Sequence, residues 1–187
     1  MKTRAALTAL LSLTSLAATA GLNLGDEMVD THVKMTSVDD ATLTLAELKG
    51  EQGTLVVFTC NKCPFVEAWQ ETMVRLGNTY SKQGVGVAFI NSNDPSVKGD
   101  TLENMKAVAE KNGYQFPYLR DATSDVARNF GATKTPDVFL FDADGKLVYL
   151  GAVGDGGTKV GDVIWLEDAL KALLAGEPIA KAQTKAV

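Results

Sequence analysis

One stretch constrains this chain more than any other. Leu55-Val56-Val57-Phe58, an unbroken apolar run, leads within two residues into Cys60-Asn61-Lys62-Cys63, and from there into a long helical pattern. A run that is apolar at every position suits a strand buried on both faces, and such strands belong to sheets covered by helices on each side. Beyond Pro64, the residues Val66, Trp69, Met73, Leu76 and Tyr80 recur at steps of three and four, the apolar stripe of one helix, expected over Pro64 to Gln83 and stopped by Gly84. The chain thus passes from strand to helix through the only two cysteines it contains. Two thiols spaced in this way can close a small disulfide ring, and a helix beginning there stabilises thiolate through its positive end. That is the chemistry of thiol–disulfide exchange. A structural staple is the competing reading, but a staple closing so short a loop gains little.

The rest of the chain alternates strand and helix. Val85 to Asn91 reads as a strand. Asp100 and Glu103 suggest a capping box for a helix from Thr101 to Asn112, stopped by Gly113. A short strand is expected over Phe116 to Leu119, and a short helix from Ser124 to Phe130, ended by Gly131. Val138 to Phe141 and Lys146 to Leu150 flank Asp142-Ala143-Asp144-Gly145, a hairpin signal. Asp162 is expected to cap a last amphipathic helix, Val163 to Ala175, before Gly176. The outcome is an α/β fold, a β-α-β half followed by a β-β-α half, with helices on both faces of the sheet.

The first twenty residues read differently. Lys2 and Arg4 precede an uncharged, Leu- and Ala-rich stretch, and Ala18-Thr19-Ala20 has the small-x-small form of a cleavage site. A signal peptide over 1–20 is expected, with a single domain over 21–187 and a short C-terminal tail. Ser12, Thr14, Ser15 and Thr19 make the stretch a poor membrane anchor. Loss of Lys2 and Arg4 leaves 16 basic against 23 acidic residues, a net charge of −7 instead of −5. An acidic surface argues against nucleic acid or anionic membrane as a partner. An exported chain, periplasmic or extracellular, meets surroundings in which a disulfide persists.

Strand, C-x-x-C, long helix, late Thr135-Pro136 and the hairpin after it together resemble the thioredoxin fold, and more specifically the redoxin or AhpC/TSA branch of the thioredoxin-like superfamily. The matching stretches are Leu45 to Gly50, Val56 to Val66, Ile90 to Asp94 and Gly131 to Gly151. The resemblance implies a central mixed β-sheet with a redoxin-type β-α insertion, here around Asn93 to Tyr118. It implies that Cys60 is the exposed attacking thiolate and that Cys63, one helical turn further in and more buried, resolves. Pro136 falls where the fold places a cis-proline facing the thiols, with Thr135 just before it, so that an extended substrate chain can dock.

Three further residues are candidates for tuning. Lys62, between the cysteines, would lower a thiolate pKa if not screened by solvent. Asn61 is the other residue between the cysteines. Glu67 is a proton acceptor for the resolving thiol or, more simply, a surface carboxylate. His32, the only histidine, reads as a strand-surface residue, and Trp69 as core. Arg120 and Arg128 are distant activating arginines or ordinary surface residues.

The leading expectation is an exported thiol–disulfide oxidoreductase acting on protein thiols and disulfides, with no cofactor. A thiol peroxidase is the second reading. Against it, the Pro-x-x-x-Thr/Ser-x-x-Cys signature fits neither cysteine: counted back from Cys63, the hydroxyl position is Cys60 and the proline position Val56. A copper-binding chaperone of the same fold would lack a histidine after the motif and have too few ligands. A non-catalytic interaction domain would survive loss of either thiol.

Overall fold

The computed structural model describes residues 21–94, 96–97 and 99–186. The expected signal peptide lies outside the described residues. Seven strands form one mixed sheet: β1 (Met35–Ser37), β2 (Thr42–Leu43), β3 (Gly53–Phe58), β4 (Val85–Asn91), β5 (Tyr118–Arg120), β6 (Asp137–Phe141) and β7 (Leu147–Gly151). Their spatial order is β2-β1-β5-β4-β3-β6-β7. The strand β3, buried at all six positions, runs parallel to β4 and antiparallel to β6. It occupies the middle of the sheet, as its uninterrupted apolar character demands.

Four helices complete the fold: α1 (Pro64–Ser81), α2 (Leu102–Asn112), α3 (Asp125–Phe130) and α4 (Trp165–Ala175). Residues of α1, α2 and α4 share one apolar cluster with Leu55, Val57, Val87 and Phe89 on one face of the sheet. On the other face, Val126, Ala127 and Phe130 of α3 join Met28, Leu45, Val56, Phe58 and Phe139. This is the thioredoxin fold. The anticipated insertion is α2 with β5, which pairs parallel to β4.

The predicted stripe on α1 is buried at every position, with Val74 and Gly77 added. A glycine inside a helix costs about 1 kcal/mol relative to alanine. Gly77 is tolerated because the Phe116 ring packs where a Cβ would stand, well inside van der Waals distance. The hairpin forms as expected, with Gly145 at φ +82° in its turn.

Several local expectations are corrected. Asp100 does not cap α2: Thr101 does, its Oγ1 accepting the Asn104 N–H at 3.3 Å, while the Asp100 carboxylate is buried. Asp162 does not cap α4. The Val163 N–H is taken by Asp155 Oδ1 at 3.0 Å and its carbonyl by the Asp155 N–H, so the loop closes on itself and the helix starts later, after Ile164. The short strand begins at Tyr118, two residues beyond its expected start. His32 is exposed in a turn before β1, not on a strand. The pair β1–β2, absent from the sequence reading, is only three and two residues long. Near the C-terminus, Gln183 bridges Leu150 in parallel, and the Thr184 Oγ1 accepts the Ala152 N–H at 2.8 Å. This covers the open edge of β7, which would otherwise be free to pair with another chain.

Candidate active site

The two cysteines stand at the C-terminal edge of β3, where the chain turns into α1. Pro64 is the first residue of the helix. Its ring suits that position because a first-turn N–H has no partner inside the helix, and it disfavours helical backbone in the residue before it. Cys63 accordingly has φ −80° and ψ 125° and is the N-cap, outside the helix. The expectation that Cys63 lies one helical turn in is therefore corrected, and Cys60 is part of the preceding loop.

The exposures are also the reverse of those expected. Cys60 is buried, with 7% of its surface accessible, whereas Cys63 is half-buried. The cause is the intervening Asn61, which is drawn inward. Its N–H donates to Asp100 Oδ1 at 2.8 Å, its Nδ2 donates to the Gly99 carbonyl at 2.7 Å, and its Oδ1 accepts from the Tyr118 hydroxyl at 3.0 Å. Three hydrogen bonds pull this part of the loop onto the insertion and take Cys60 down with it.

Asp100, only 1% exposed, is the hub of that insertion. Besides Asn61 it accepts from Asn91 Nδ2 at 2.9 Å and Asn93 Nδ2 at 2.8 Å. Arg120 donates to the Asp100 carbonyl and, at 2.6 Å, to the carbonyl of Asn93. Arg120 is thus a buried brace, 8% exposed, and not the surface residue that one reading allowed. Arg128 is exposed and pairs with Asp125. A buried polar network is stabilising only when its members are satisfied, and here donors and acceptors match.

Thr135 and Pro136 come to the thiols from the loop before β6. The Thr135–Pro136 bond is cis, as expected from the sequence. Cys60 Sγ lies 3.1 Å from Thr135 Oγ1, and the Cys63 S–H donates to the Thr135 carbonyl at 3.3 Å. One residue therefore touches both sulfurs. Burial pushes the Cys60 thiol up, with Cys63 and the Asp100 carboxylate adding to the effect, while the hydrogen bond from Thr135 opposes it. Asp137, next after Pro136, is buried and its carboxyl is pushed up to about 7, although the N–H groups of Thr133 and Val138 pull the other way.

Of the predicted tuning residues, Asn61 is an anchor. Lys62 is exposed, its aliphatic stem lying against Gly99. Glu67 is exposed in the first turn of α1, where only its backbone N–H reaches the Cys63 carbonyl, so the surface reading holds. Sequence reasoning missed Asn91, Asn93 and Tyr118. The available signal was Asn91, a polar residue closing an otherwise apolar strand.

A cavity of about 290 Å³ opens beside Thr135, with Thr59, Ser92, Asn93, Ser124 and Lys134 among its polar walls. A larger one, about 520 Å³, lies at the far side between Leu24, Val148, Leu173 and Ile179, away from the thiols. Among the described residues no group of three or more His, Cys, Asp or Glu side chains is placed to hold a metal ion. Nor, among the described residues, is any helix long and apolar enough to cross a membrane.

A thioredoxin fold with a dithiol at the mouth of its longest helix defines a thioredoxin-like protein of the redoxin branch. The chain belongs to the AhpC/TSA family, whose model matches residues 24–150. It is 25% identical over 111 residues to the thiol-disulfide oxidoreductase ResA of Halalkalibacterium halodurans, a match that covers 59% of each chain. Among solved structures it resembles a conserved protein from Geobacillus kaustophilus, with 40% identity, 87% of both chains covered and a TM-score of 0.81. It also resembles a hypothetical protein from Sinorhizobium meliloti, with 35% identity, 89% of this chain and 92% of the other covered, and a TM-score of 0.82.

Proposed function

We propose that this chain is an exported thiol–disulfide oxidoreductase in which Cys60 and Cys63 form the redox couple. The observation that carries the reading is the meeting of both sulfurs on Thr135, at 3.1 Å and 3.3 Å, on a loop next to a polar cavity. Two thiols held against one residue are close enough in the fold for one to resolve a mixed disulfide formed on the other, the step that completes exchange with a partner disulfide. Thr135 and Pro136 present the surface over which an extended substrate segment lies. The likeness to ResA supports the same activity. Export rests on Lys2, Arg4 and the Ala18-Thr19-Ala20 site, and the mature domain then begins at Gly21.

The test is oxidation of the purified, fully reduced protein by a disulfide-bonded protein and by hydrogen peroxide, side by side. Trp69 is the reporter, because it packs in the same apolar cluster as Cys60. Rapid oxidation by the disulfide and slow oxidation by peroxide is the expected result. The reverse order replaces this reading by a thiol peroxidase. Mass spectrometry of protein recovered from the cell exterior or periplasm is expected to find Gly21 at the N-terminus.

A further inference from the structure

We propose that the cavity beside Thr135 is a subsite for a carboxylate, and that this protein prefers disulfide-bonded partners with an Asp or Glu side chain next to the reacting cysteine. This rests on the oxidoreductase reading above and names its substrate class.

The cavity adjoins the thiols through one shared residue. Thr135 lines it, and the same residue stands 3.1 Å from Cys60 Sγ through its hydroxyl and 3.3 Å from Cys63 Sγ through its carbonyl. A substrate whose disulfide reaches those sulfurs therefore brings a neighbouring side chain to the cavity. At about 290 Å³ the space falls just below ordinary small-molecule sites, which run from about 300 to 1,000 Å³, and it suits one side chain better than a separate ligand.

Its walls favour negative charge. The chain as a whole carries a net charge of −5, yet no Asp or Glu lines this cavity, whereas Arg128 and Lys134 do. Arg128 is already paired with Asp125. Lys134 is exposed, and its hydrogen-bond partner among the described residues is neutral, the Ala186 carbonyl at 3.2 Å. Two further carboxylates lie close by. Asp121 is 3% exposed and is engaged by the Ser92 hydroxyl at 2.8 Å and the Ala127 N–H at 3.0 Å. Asp137 is buried on β6, and its carboxyl, pushed up to about 7, is mostly uncharged at pH 6. Lys134 is thus the cation of this cavity with no carboxylate paired to it among the described residues.

A second observation is independent of charge. Thr59, only 2% exposed, lines the same cavity, and its Oγ1 is buried with no hydrogen-bond partner. Orphaned buried hydroxyls are few in folded proteins, and each calls for an explanation. A carboxylate oxygen seated against this wall accepts the Thr59 O–H while Lys134 supplies the counter-charge. Such charge-assisted bonding is stronger than an amide could form, and a cationic side chain could form none of it.

The test uses three peptides, each closed by one disulfide and differing only in a Glu, Gln or Lys beside one cysteine. Each is reacted with the fully reduced protein at pH 6, and oxidation is followed through Trp69 fluorescence. At low salt the Glu peptide is expected to react about tenfold faster than the Lys peptide, the scale on which local charge alters association, with Gln between them. The preference should shrink at high salt, which screens the charge. It should be lost in Lys134→Gln, return in Lys134→Arg and weaken in Thr59→Val, which keeps the side chain's shape. Equal rates for the three peptides, or a Glu preference that Lys134→Gln leaves intact, would overturn the proposal while the oxidoreductase reading stands. Glutathione disulfide, a small disulfide with carboxylates of its own, controls for the source: if it matches the Glu peptide, the assignment to a protein side chain falls. Binding is read separately, from amide NMR shifts on adding the Glu and Lys peptides with serine in place of both cysteines. Glu-dependent shifts at Thr59, Ser92 and Lys134, in a protein that none of the disulfide peptides oxidises, would keep the subsite and remove the oxidoreductase reading. Neither reaction nor such shifts would remove both.

Discussion

The N–H of Asn61 donates to the carboxylate of Asp100 at 2.8 Å, tying the loop between the two cysteines to a residue 39 positions away. That bond is one of three the carboxylate accepts, the others coming from Asn91 and Asn93. It links the insertion, whose role was not readable from the sequence, directly to the loop that carries both cysteines.

Replacing this carboxylate tests the link. Asp100→Asn keeps the shape but turns an N–H₂ toward groups that are themselves donors. Buried hydrogen bonds to a charged group are worth about 1.5–3 kcal/mol each, so a loss of about 2–4 kcal/mol is expected in urea unfolding. The negative charge beside Cys60 also disappears, so the Cys60 thiol should titrate lower, as read by ultraviolet thiolate absorbance in a Cys63→Ser background. An unchanged titration would mean that the charge of Asp100 does not reach the thiol.

Thr135 gives a more selective probe. Thr135→Val removes the hydroxyl 3.1 Å from Cys60 Sγ and keeps both the shape and the carbonyl that faces Cys63. The hydroxyl is the larger of the two contacts that lower the Cys60 thiol, the other being the Lys62 N–H, so its loss should raise that thiol further. Formation of the disulfide between Cys60 and Cys63 is expected to slow, as read in single-turnover oxidation by a disulfide-bonded protein. Stability should change by less than about 1 kcal/mol, since one neutral hydrogen bond is involved.

Asp137 makes stability depend on pH in an unusual direction. Its carboxyl titrates at about 7 when folded, against 3.8 for the free side chain. Between those values the folded state holds a proton that the unfolded state has lost. The contribution is fully present below the unfolded value and disappears as pH rises through the folded one. From about pH 5 to about pH 8 the wild type should lose about 3 kcal/mol relative to Asp137→Asn, which has no carboxyl to ionise. Urea denaturation of the reduced proteins at both pH values measures the difference, and parallel pH profiles for the two proteins would show that Asp137 ionises freely.

Gly77 probes the packing beneath α1. An alanine there gains helix propensity of about 1 kcal/mol but drives its methyl group into the Phe116 ring. Overpacking typically costs about 1–3 kcal/mol, so a net loss of stability is expected for Gly77→Ala in thermal unfolding. Phe116→Leu should relieve part of that loss when combined with it, because the two changes share one contact.

The chain announced its architecture wherever the physics was local. The apolar run of β3, the three-and-four spacing on α1, the glycines at 113, 131 and 176 and the Asp-Gly turn each act through backbone preference and one-sided burial, and each element formed within a few residues of its expected place. Cys60, Cys63, Thr135 and Pro136 were legible as a group because their residue types and order match a known fold. The environment of those residues was not legible. Asp100 reads locally as a helix cap and Arg120 as a surface cation, because a sequence gives the chemistry of a side chain and not what closes over it. Only when β5 pairs with β4 do Asn91, Asp100, Tyr118 and Arg120 come together beneath Asn61. That long-range closure buries Cys60, while Pro64 keeps Cys63 outside the helix. Local preferences along the chain were enough to bring two thiols to a strand–helix junction, whereas the burial of Cys60 came from packing against residues distant in sequence.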